Sequence, residues 1–410
     1  MADRQPRRPL PEPLRGCDAG TFTQESIVHR LPEIGQRMLQ ENDFPENVVN
    51  RIRQMLAEIP ASGLRPIEDD DDAPDQAAWS DYVAPYVGQD WLQPPWFFIE
   101  NYFYRRILAY TGYFHSGPGL GMDPFAYQKR QGLADKKESV AELADLVQKP
   151  GDVAAGLTAL LRIALWGNQG DLSMWPAGPD EDQIGHGDEA QRAAHTLVDD
   201  ADAVATALLR TAAERPPLAF LVDNAGFELV TDLALAAFVL QRQLAATVTL
   251  HTKPHPTFVS DATNEDVWTT VKRLVASEQE AVAGLGRQLA LYLNIGRLRL
   301  RPHFFWTSPL PDWRMPTDLR QRLGRMRLIV SKGDAHYRRL LGDRHWSYTA
   351  PFAEIVNYMP ADLVALRTLK SEVAAGLSAA DVARAAAQAD DWLVNGRWGL
   401  IQFYQVAQND

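Results

Sequence analysis

The sequence predicts an α/β protein in which a mostly helical N-terminal part precedes a part built on parallel strands. Two patterns support this prediction. Apolar residues recur at helical spacing in the first half of the chain, as at Ile27, Leu31 and Ile34. In the second half, a continuous apolar run is followed by a polar turn and then by a helical pattern, and this unit recurs. Such apolar runs are typical of strands buried on both faces of a parallel sheet.

The length of the chain, 410 residues, predicts two or three domains. Residues 1–20 are rich in proline and arginine and are predicted to form a flexible arm. We place a mostly helical domain at 21–205 and an α/β domain at 206–410. A single helix is predicted over Ala190–Ala213, across this boundary.

Composition narrows the class of protein. A net charge of −12 argues against a nucleic-acid partner, which would require a basic face. Cys17 is the only cysteine, which excludes an intramolecular disulfide and fits a cytoplasmic location. There is no apolar run long enough for a membrane span, so we predict no membrane partner. The oligomeric state is left open.

The segment Leu218–Leu240 is the clearest strand-turn-helix unit. Leu218–Val222 is a predicted buried strand, and Asp223, Asn224 and Glu228 follow it in a turn before helical spacing resumes. These oxygen-bearing side chains suit a hard divalent cation such as Mg²⁺ or Mn²⁺. The same residue types are common helix caps, so this turn alone leaves metal binding and capping open.

Two further units place polar residues after apolar runs. A predicted strand over Ala246–Leu250 is followed by a loop that ends at Asp261, and a strand over Arg327–Val330 is followed by Lys332 and Asp334. Because the carboxyl ends of parallel strands lie at one edge of a sheet, we expect these turns to meet in one crevice.

Lysines at the same strand ends could neutralise a phosphoryl group. Lys332 follows one predicted strand and Lys370 lies near a last one. Taken singly, each is more typical of a solvated surface lysine, and its position at a strand end beside a glycine turn favours the phosphate role. The glycine-rich phosphate loops of nucleotide-binding proteins and the Gly-x-Ser-x-Gly turn of serine hydrolases are absent from the sequence.

Together the turns resemble the metal-dependent damage-control phosphatases of the domain-of-unknown-function 89 group, in particular its acidic-residue-methyltransferase-like, sugar-phosphate phosphatase branch (subfamily III). The resemblance extends over nearly the whole chain after residue 20. The matching motifs are Leu165-Trp-Gly-Asn168, Asp171-Leu-Ser173, Asp223-Asn-Ala-Gly-Phe-Glu228, Ser260-Asp261, Lys332-Gly-Asp334, Tyr337-Arg338 and Arg367-Thr-Leu-Lys370.

The resemblance implies a helical domain on a three-layer α/β/α domain with a mostly parallel, Rossmann-like sheet. It implies a divalent metal (Mn²⁺, Co²⁺ or Ni²⁺, with Mg²⁺ possible) held by Asp223, Asn224 and Asp261. Catalytic roles are expected for Asp223, Lys332 and Asp334. The expected substrate-binding residues are Asn168, Asp171, Glu228, Asp334, Tyr337, Arg338, Arg367 and Lys370.

The predicted function is metal-dependent hydrolysis of small phosphomonoesters such as fructose 1-phosphate or fructose 6-phosphate. One alternative is an S-adenosylmethionine-dependent carboxyl methyltransferase, an activity also proposed for this branch, although the usual glycine-rich loop of methyltransferases is missing. The other is a sugar-phosphate-binding protein without catalysis. A requirement for metal would argue against the methyltransferase, because simple methyl transfer needs none. Binding of sugar phosphate without its turnover would favour the binding protein.

Overall fold

Residues 5–68, 72–131, 136–149, 151–167 and 189–407 are described by a computed structural model of the chain. The first half is helical. Its helices are α1 (Phe22–Glu25), α2 (Leu31–Glu41), α3 (Glu46–Glu58), α4 (Gln76–Val83), α5 (Trp96–Thr111), α6 (Ala126–Gln131), α7 (Lys137–Gln148), α8 (Val153–Trp166) and α9 (Glu189–Ala194), with a π-helix at Ser26–Arg30 between α1 and α2.

Strands and helices alternate in the second half. The strands are β1 (Thr196–Asp199), β2 (Leu218–Leu221), β3 (Val248–His251), β4 (Leu298–Leu300), β5 (Leu328–Lys332), β6 (Asp362–Thr368) and β7 (Gly399–Tyr404). The helices are α10 (Ala201–Arg210), α11 (Phe227–Gln241), α12 (Asn264–Val275), α13 (Glu280–Asn294), α14 (Thr317–Leu323), α15 (Gly333–Leu341), α16 (Phe352–Ile355) and α17 (Ala379–Ala386).

The strands form one sheet in the order β1-β7-β6-β5-β2-β3-β4. Every neighbouring pair is parallel except β6 and β7. The chain passes from β2 to β3 on one side and from β5 to β6 on the other, so the direction of winding reverses between β2 and β5. Ligands of open α/β sheets bind at such a switch point, outside the carboxyl ends of the strands.

Both faces of the sheet are covered by apolar packing. Phe220 and Val222 of the β2 segment belong to a core shared with α8 and α11, whereas Ala219 and Leu221 face a second core shared with the N-terminal helices. The predicted α/β class, with a mostly parallel sheet between two layers, is therefore confirmed.

The predicted helix over Ala190–Ala213 is wrong, because β1 separates α9 from α10 in this segment. Thr196 and Asp199 pair with Gly399 and Ile401 of β7. That partner lies far along the chain, so local spacing could not reveal the strand.

The predicted domain limits differ in detail from the packing. Residues 5–20 of the predicted flexible arm lie against the rest of the chain: the Leu14 N–H donates to the Asp343 carbonyl at 2.9 Å, the Cys17 N–H donates to the Leu92 carbonyl at 3.0 Å, and Leu14 is buried. The limit at residue 206 falls inside α10, and α7 and α8, which precede it, pack on α11. The division into domains stays a prediction.

Among the described helices, none has the length and apolar character needed to cross a bilayer.

Candidate active site

The loops after β2 and β5 come into contact at the switch point. Gly333, the first residue of α15, has a φ of +76°, and a Cβ atom at this position would lie 1.8 Å from Asp223 Oδ2. Only glycine satisfies both conditions, since other residues rarely adopt this φ and the added atom would clash. The glycine after β5 therefore lets the Asp223 carboxylate lie against the start of α15.

The loop after β3 folds back onto the loop after β2. The Ala225 N–H donates to the Ser260 carbonyl and the Ala262 N–H donates to the Asp223 carbonyl, both at 2.7 Å. Phe258 and Val259 adopt positive φ values of 46° and 66°, which turn the chain toward this contact. These bonds bring Asp261 next to Asn224, as the sequence predicted for turns at one sheet edge.

Asn224 is held by three neighbouring side chains. Its amide nitrogen donates to Asp223 Oδ2 at 3.1 Å and to Glu228 Oε2 at 2.8 Å, and its Oδ1 accepts a hydrogen bond from the Ser260 hydroxyl at 2.6 Å. The helix-cap interpretation of this turn is not what the structure shows, because α11 begins after Gly226 and has no side-chain cap. The polar side chains of the turn bond to one another.

Lys332 lies below this turn, between α8 and α11. Its ammonium group is 3.2 Å from Glu228 Oε1 and 2.8 Å from Asp232 Oδ1, and it donates to the Ala164 carbonyl at 2.8 Å. Burial disfavours the charged amine, but the two carboxylates outweigh it and raise the pKa of Lys332. Its three oxygen neighbours all belong to the protein, so contact with a substrate would require Lys332 to give up one of them.

Asp232 was not predicted as part of the site. It lies one helical turn after Glu228 on α11 and is completely buried. Burial raises its pKa to about 7, against the lowering effect of Lys332. The i, i+4 spacing of two carboxylates on an otherwise apolar helix was the available signal.

Lys253 is a second unpredicted residue. It follows β3, is 2% exposed, and its ammonium group lies 3.0 Å from Asp261 Oδ2 and 3.6 Å from Asp223 Oδ1. It also donates to the Val222 carbonyl at 2.9 Å and lies 3.1 Å from His336 Nε2. Burial and the nearby Lys253 charge lower the pKa of His336 well below its ordinary value, so this imidazole is neutral at pH 7.

These residues form what we call the switch-point cluster: Asp223, Asn224, Glu228, Asp232, Lys253, Asp261 and Lys332. All are buried. Within the cluster, four carboxylates are matched by two ammonium groups, which leaves two negative charges when Asp232 is ionised. Arg339, a nearby guanidinium, donates instead to the backbone carbonyls of Ser308, Leu310 and Trp306.

The other predicted residues on α15 and β6 are paired with protein groups. Asp334 Oδ1 accepts hydrogen bonds from Arg367 Nε at 2.8 Å and from the Ser371 hydroxyl at 3.0 Å, and its side chain stays 16% exposed. The Arg367 guanidinium also lies over the ring of Tyr337, 4.3 Å from its centroid. The Tyr337 hydroxyl donates to Gln402 Oε1 at 2.9 Å.

Arg338 links α15 to the helical part of the chain. It makes a two-bond ion pair with Asp343, at 2.8 and 3.0 Å, and a second ion pair with Glu100 of α5. Its guanidinium stacks 3.6 Å above the Trp96 ring. A substrate contact by Arg338 stays a prediction, and its observed partners all belong to the protein.

Three predicted residues remain to be placed. Lys370 follows β6, is 7% exposed, and lies beside Gly396. Asn168 and Asp171 are outside the described residues. In the described part of the chain, no group of three His, Cys, Asp or Glu side chains is arranged to hold a metal, so the predicted metal set depends on the amide of Asn224 as well as on Asp223 and Asp261.

A cavity of about 310 Å³ opens beside the cluster. Its wall includes Ala225 and Gly226, which directly follow Asn224, and charged residues of α6 and α12. Lys129, Asp123 and Asp266 form an ion triplet in this wall, in which Lys129 is buried, the carboxylates are partly exposed, and both lie within 2.9 Å of the Lys129 ammonium. The cavity is large enough for a small polar molecule next to the turn after β2.

The chain is similar in sequence to a family of known proteins. Residues 24–385 match the damage-control phosphatase ARMT1-like domain. The protein named damage-control phosphatase ARMT1 is 33% identical in Danio rerio, over 96% of this chain and 97% of that protein, and 34% identical in Mus musculus, over 76% and 75%. The Homo sapiens protein is 28% identical over 96% of this chain and 98% of its own. A crystal structure of a DUF89 family protein from Pyrococcus horikoshii aligns with a TM-score of 0.48 at 15% identity, covering 92% of this chain and 97% of that chain.

Proposed function

The chain belongs to the damage-control phosphatase ARMT1-like family, as its ordered motifs predicted, and on this basis we propose that it is a metal-dependent phosphomonoester hydrolase. The proposed substrates are small sugar phosphates such as fructose 1-phosphate or fructose 6-phosphate. The observation that supports the proposal best is the switch-point cluster, because its four carboxylates outnumber its two ammonium groups at the sheet edge where α/β proteins bind ligands.

The chemistry of the cluster fits a divalent cation. Asp223, Asn224 and Asp261 present carboxylate and amide groups from two loops that are bonded to each other, and such oxygen donors suit Mn²⁺, Mg²⁺ and similar hard ions. We assign these three residues as those that would hold the metal. A bound divalent cation would supply charge for the phosphoryl group and an activated water.

The remaining residues are assigned either to positioning or to proton transfer. Glu228 has one oxygen bonded to Lys332 and the other to Asn224, so it is suited to orient the Asn224 amide. Lys332 holds Glu228 and balances buried charge, a different role from the direct phosphate contact predicted from the sequence. Asp334 is the more accessible carboxylate, fixed through one oxygen by Arg367 and Ser371, and we assign it the proton transfer or the contact with a sugar hydroxyl.

The test is phosphate release from a panel of sugar and nucleotide monophosphates. Protein stripped of metal is assayed alone and after addition of Mn²⁺, Co²⁺, Ni²⁺ or Mg²⁺ in turn. We expect release only with metal, and strongest for small sugar phosphates. Equal release with and without metal would contradict the metal assignment. Metal binding without release from any monophosphate would favour a binding protein, and methyl transfer from S-adenosylmethionine without metal would favour the methyltransferase alternative.

A further inference from the structure

Lys253 places a positive charge between the two carboxylates that we assign to the metal. Its ammonium group contacts Asp261 at 3.0 Å and Asp223 at 3.6 Å, although these residues belong to different loops. The side chain is 2% exposed. A buried ammonium is costly unless it is paired, so these contacts are what allow a lysine here.

The backbone of Lys253 takes part in the same arrangement. Its N–H donates to the Ala262 carbonyl at 2.9 Å, next to Asp261, and its ammonium donates to the Val222 carbonyl, next to Asp223. One residue therefore connects the end of β3 with both acidic loops. Its ammonium group lies close to oxygens of the two segments that carry the proposed metal ligands, with His336 Nε2 as a third neighbour.

Lys129 offers a contrast, because it is also buried between two carboxylates. Its partners, Asp123 and Asp266, lie in the wall of the neighbouring cavity and are not proposed metal ligands. Burial disfavours its charged form, but Asp123 and Asp266 outweigh this and raise the pKa of Lys129. Both lysines lie between two carboxylates. They differ because only the carboxylates beside Lys253 are expected to bind a metal.

We infer that Lys253 is a positioning residue that sets the metal affinity of the site: it balances Asp223 and Asp261 while no cation is bound, and it lowers their affinity for a divalent cation by charge repulsion. This inference rests on the proposed function, since it takes Asp223 and Asp261 as metal ligands. Removing the ammonium should therefore leave a metal-free site with excess negative charge and a stronger attraction for a cation.

The experiment compares Lys253→Gln and Lys253→Met with wild type by Mn²⁺ titration calorimetry and by thermal melting with and without Mn²⁺. Glutamine keeps a hydrogen-bond donor but carries no charge. The glutamine variant therefore tests the inference even if the methionine variant does not fold. We expect Mn²⁺ to bind Lys253→Gln about tenfold more tightly than wild type, on the order expected for removing a nearby like charge. We also expect its melting temperature to fall without metal and to rise more than that of wild type when Mn²⁺ is added.

Lys129→Met is the matched control. It should lower the melting temperature by the same amount with and without Mn²⁺ and leave the Mn²⁺ affinity unchanged, because its carboxylates are not ligands. Equal or weaker Mn²⁺ binding by Lys253→Gln, with wild type binding normally, would overturn the inference and leave the proposed function in place. Wild-type protein that binds no Mn²⁺ in the titration would overturn the inference, and it would overturn the metal assignment as well if none of the four metals supports phosphate release.

Discussion

The switch-point cluster and the Arg338 interface are both buried and highly charged, yet they differ in charge balance. In the cluster, four carboxylates share two lysines. At the interface, Arg338 is enclosed by Asp343, Glu100 and the Trp96 ring, and Arg30 also pairs with Glu100. Burial and charge alone therefore do not identify a binding site. The cluster differs in having an excess of one sign at a sheet edge, which a bound ion of the opposite sign would balance.

The largest expected effect is on the stability of the interface. Arg338→Met removes the partner of two buried carboxylates, so we expect the free energy of unfolding to fall by about 3–5 kcal/mol. Chemical denaturation measures this change. Turnover per folded molecule, measured where the variant is folded, tests the predicted substrate contact: a selective loss would support it, and turnover near that of wild type would limit Arg338 to the interface.

The next effect is on catalysis in the cluster. Asp223→Asn and Asp261→Asn keep the side-chain size but remove a charge, and we expect phosphate release to fall by about 100-fold or more, a loss on the scale of removing one key electrostatic group. Steady-state kinetics with added Mn²⁺ measures it. Glu278→Gln, on the exposed surface, is the control and should behave as wild type. Unimpaired turnover in both aspartate variants would refute the metal assignment.

A smaller effect is expected where the two loops meet. Gly333→Ala combines a disfavoured φ with a clash against Asp223, so we expect a loss of about 1–3 kcal/mol in stability together with weaker metal binding. Gly296→Ala has a similar φ of +73° but no atom within 4 Å of the added Cβ. The control should therefore lose less stability and bind metal normally, and equal behaviour of both variants would argue against close packing at Gly333.

The last expected effect is a dependence of stability on pH. Burial raises the pKa of Asp232 to about 7, above its ordinary value of 3.8, so the folded protein is expected to keep this proton to a higher pH than the unfolded chain. This contribution to stability is complete below about pH 4 and is lost as the pH rises to 7. Asp232→Asn should therefore show a flatter fall in unfolding free energy between pH 4 and 7 than wild type. Parallel curves would mean that Asp232 is ionised throughout this range.

The sequence by itself determined the strand-turn-helix units and the residues at their ends. Leu218–Val222 followed by Asp223 and Asn224 is readable because an apolar strand and a polar turn are local patterns. The convergence of Asp223 and Asp261 also followed from the expectation of a parallel sheet, since parallel strands end at one edge.

Only the tertiary structure decided which charges face each other. Lys253 carries no local signal that separates it from an ordinary polar residue, and the spacing of Asp232 from Glu228 does not reveal its lysine partner, so both roles depend on other loops and strands. Likewise, Arg338 and Lys332 look alike in sequence as cations near a strand end, yet one joins two helical layers and the other lies under the site. Electrostatic energy depends on distances across the fold, and residue spacing along the chain does not contain those distances.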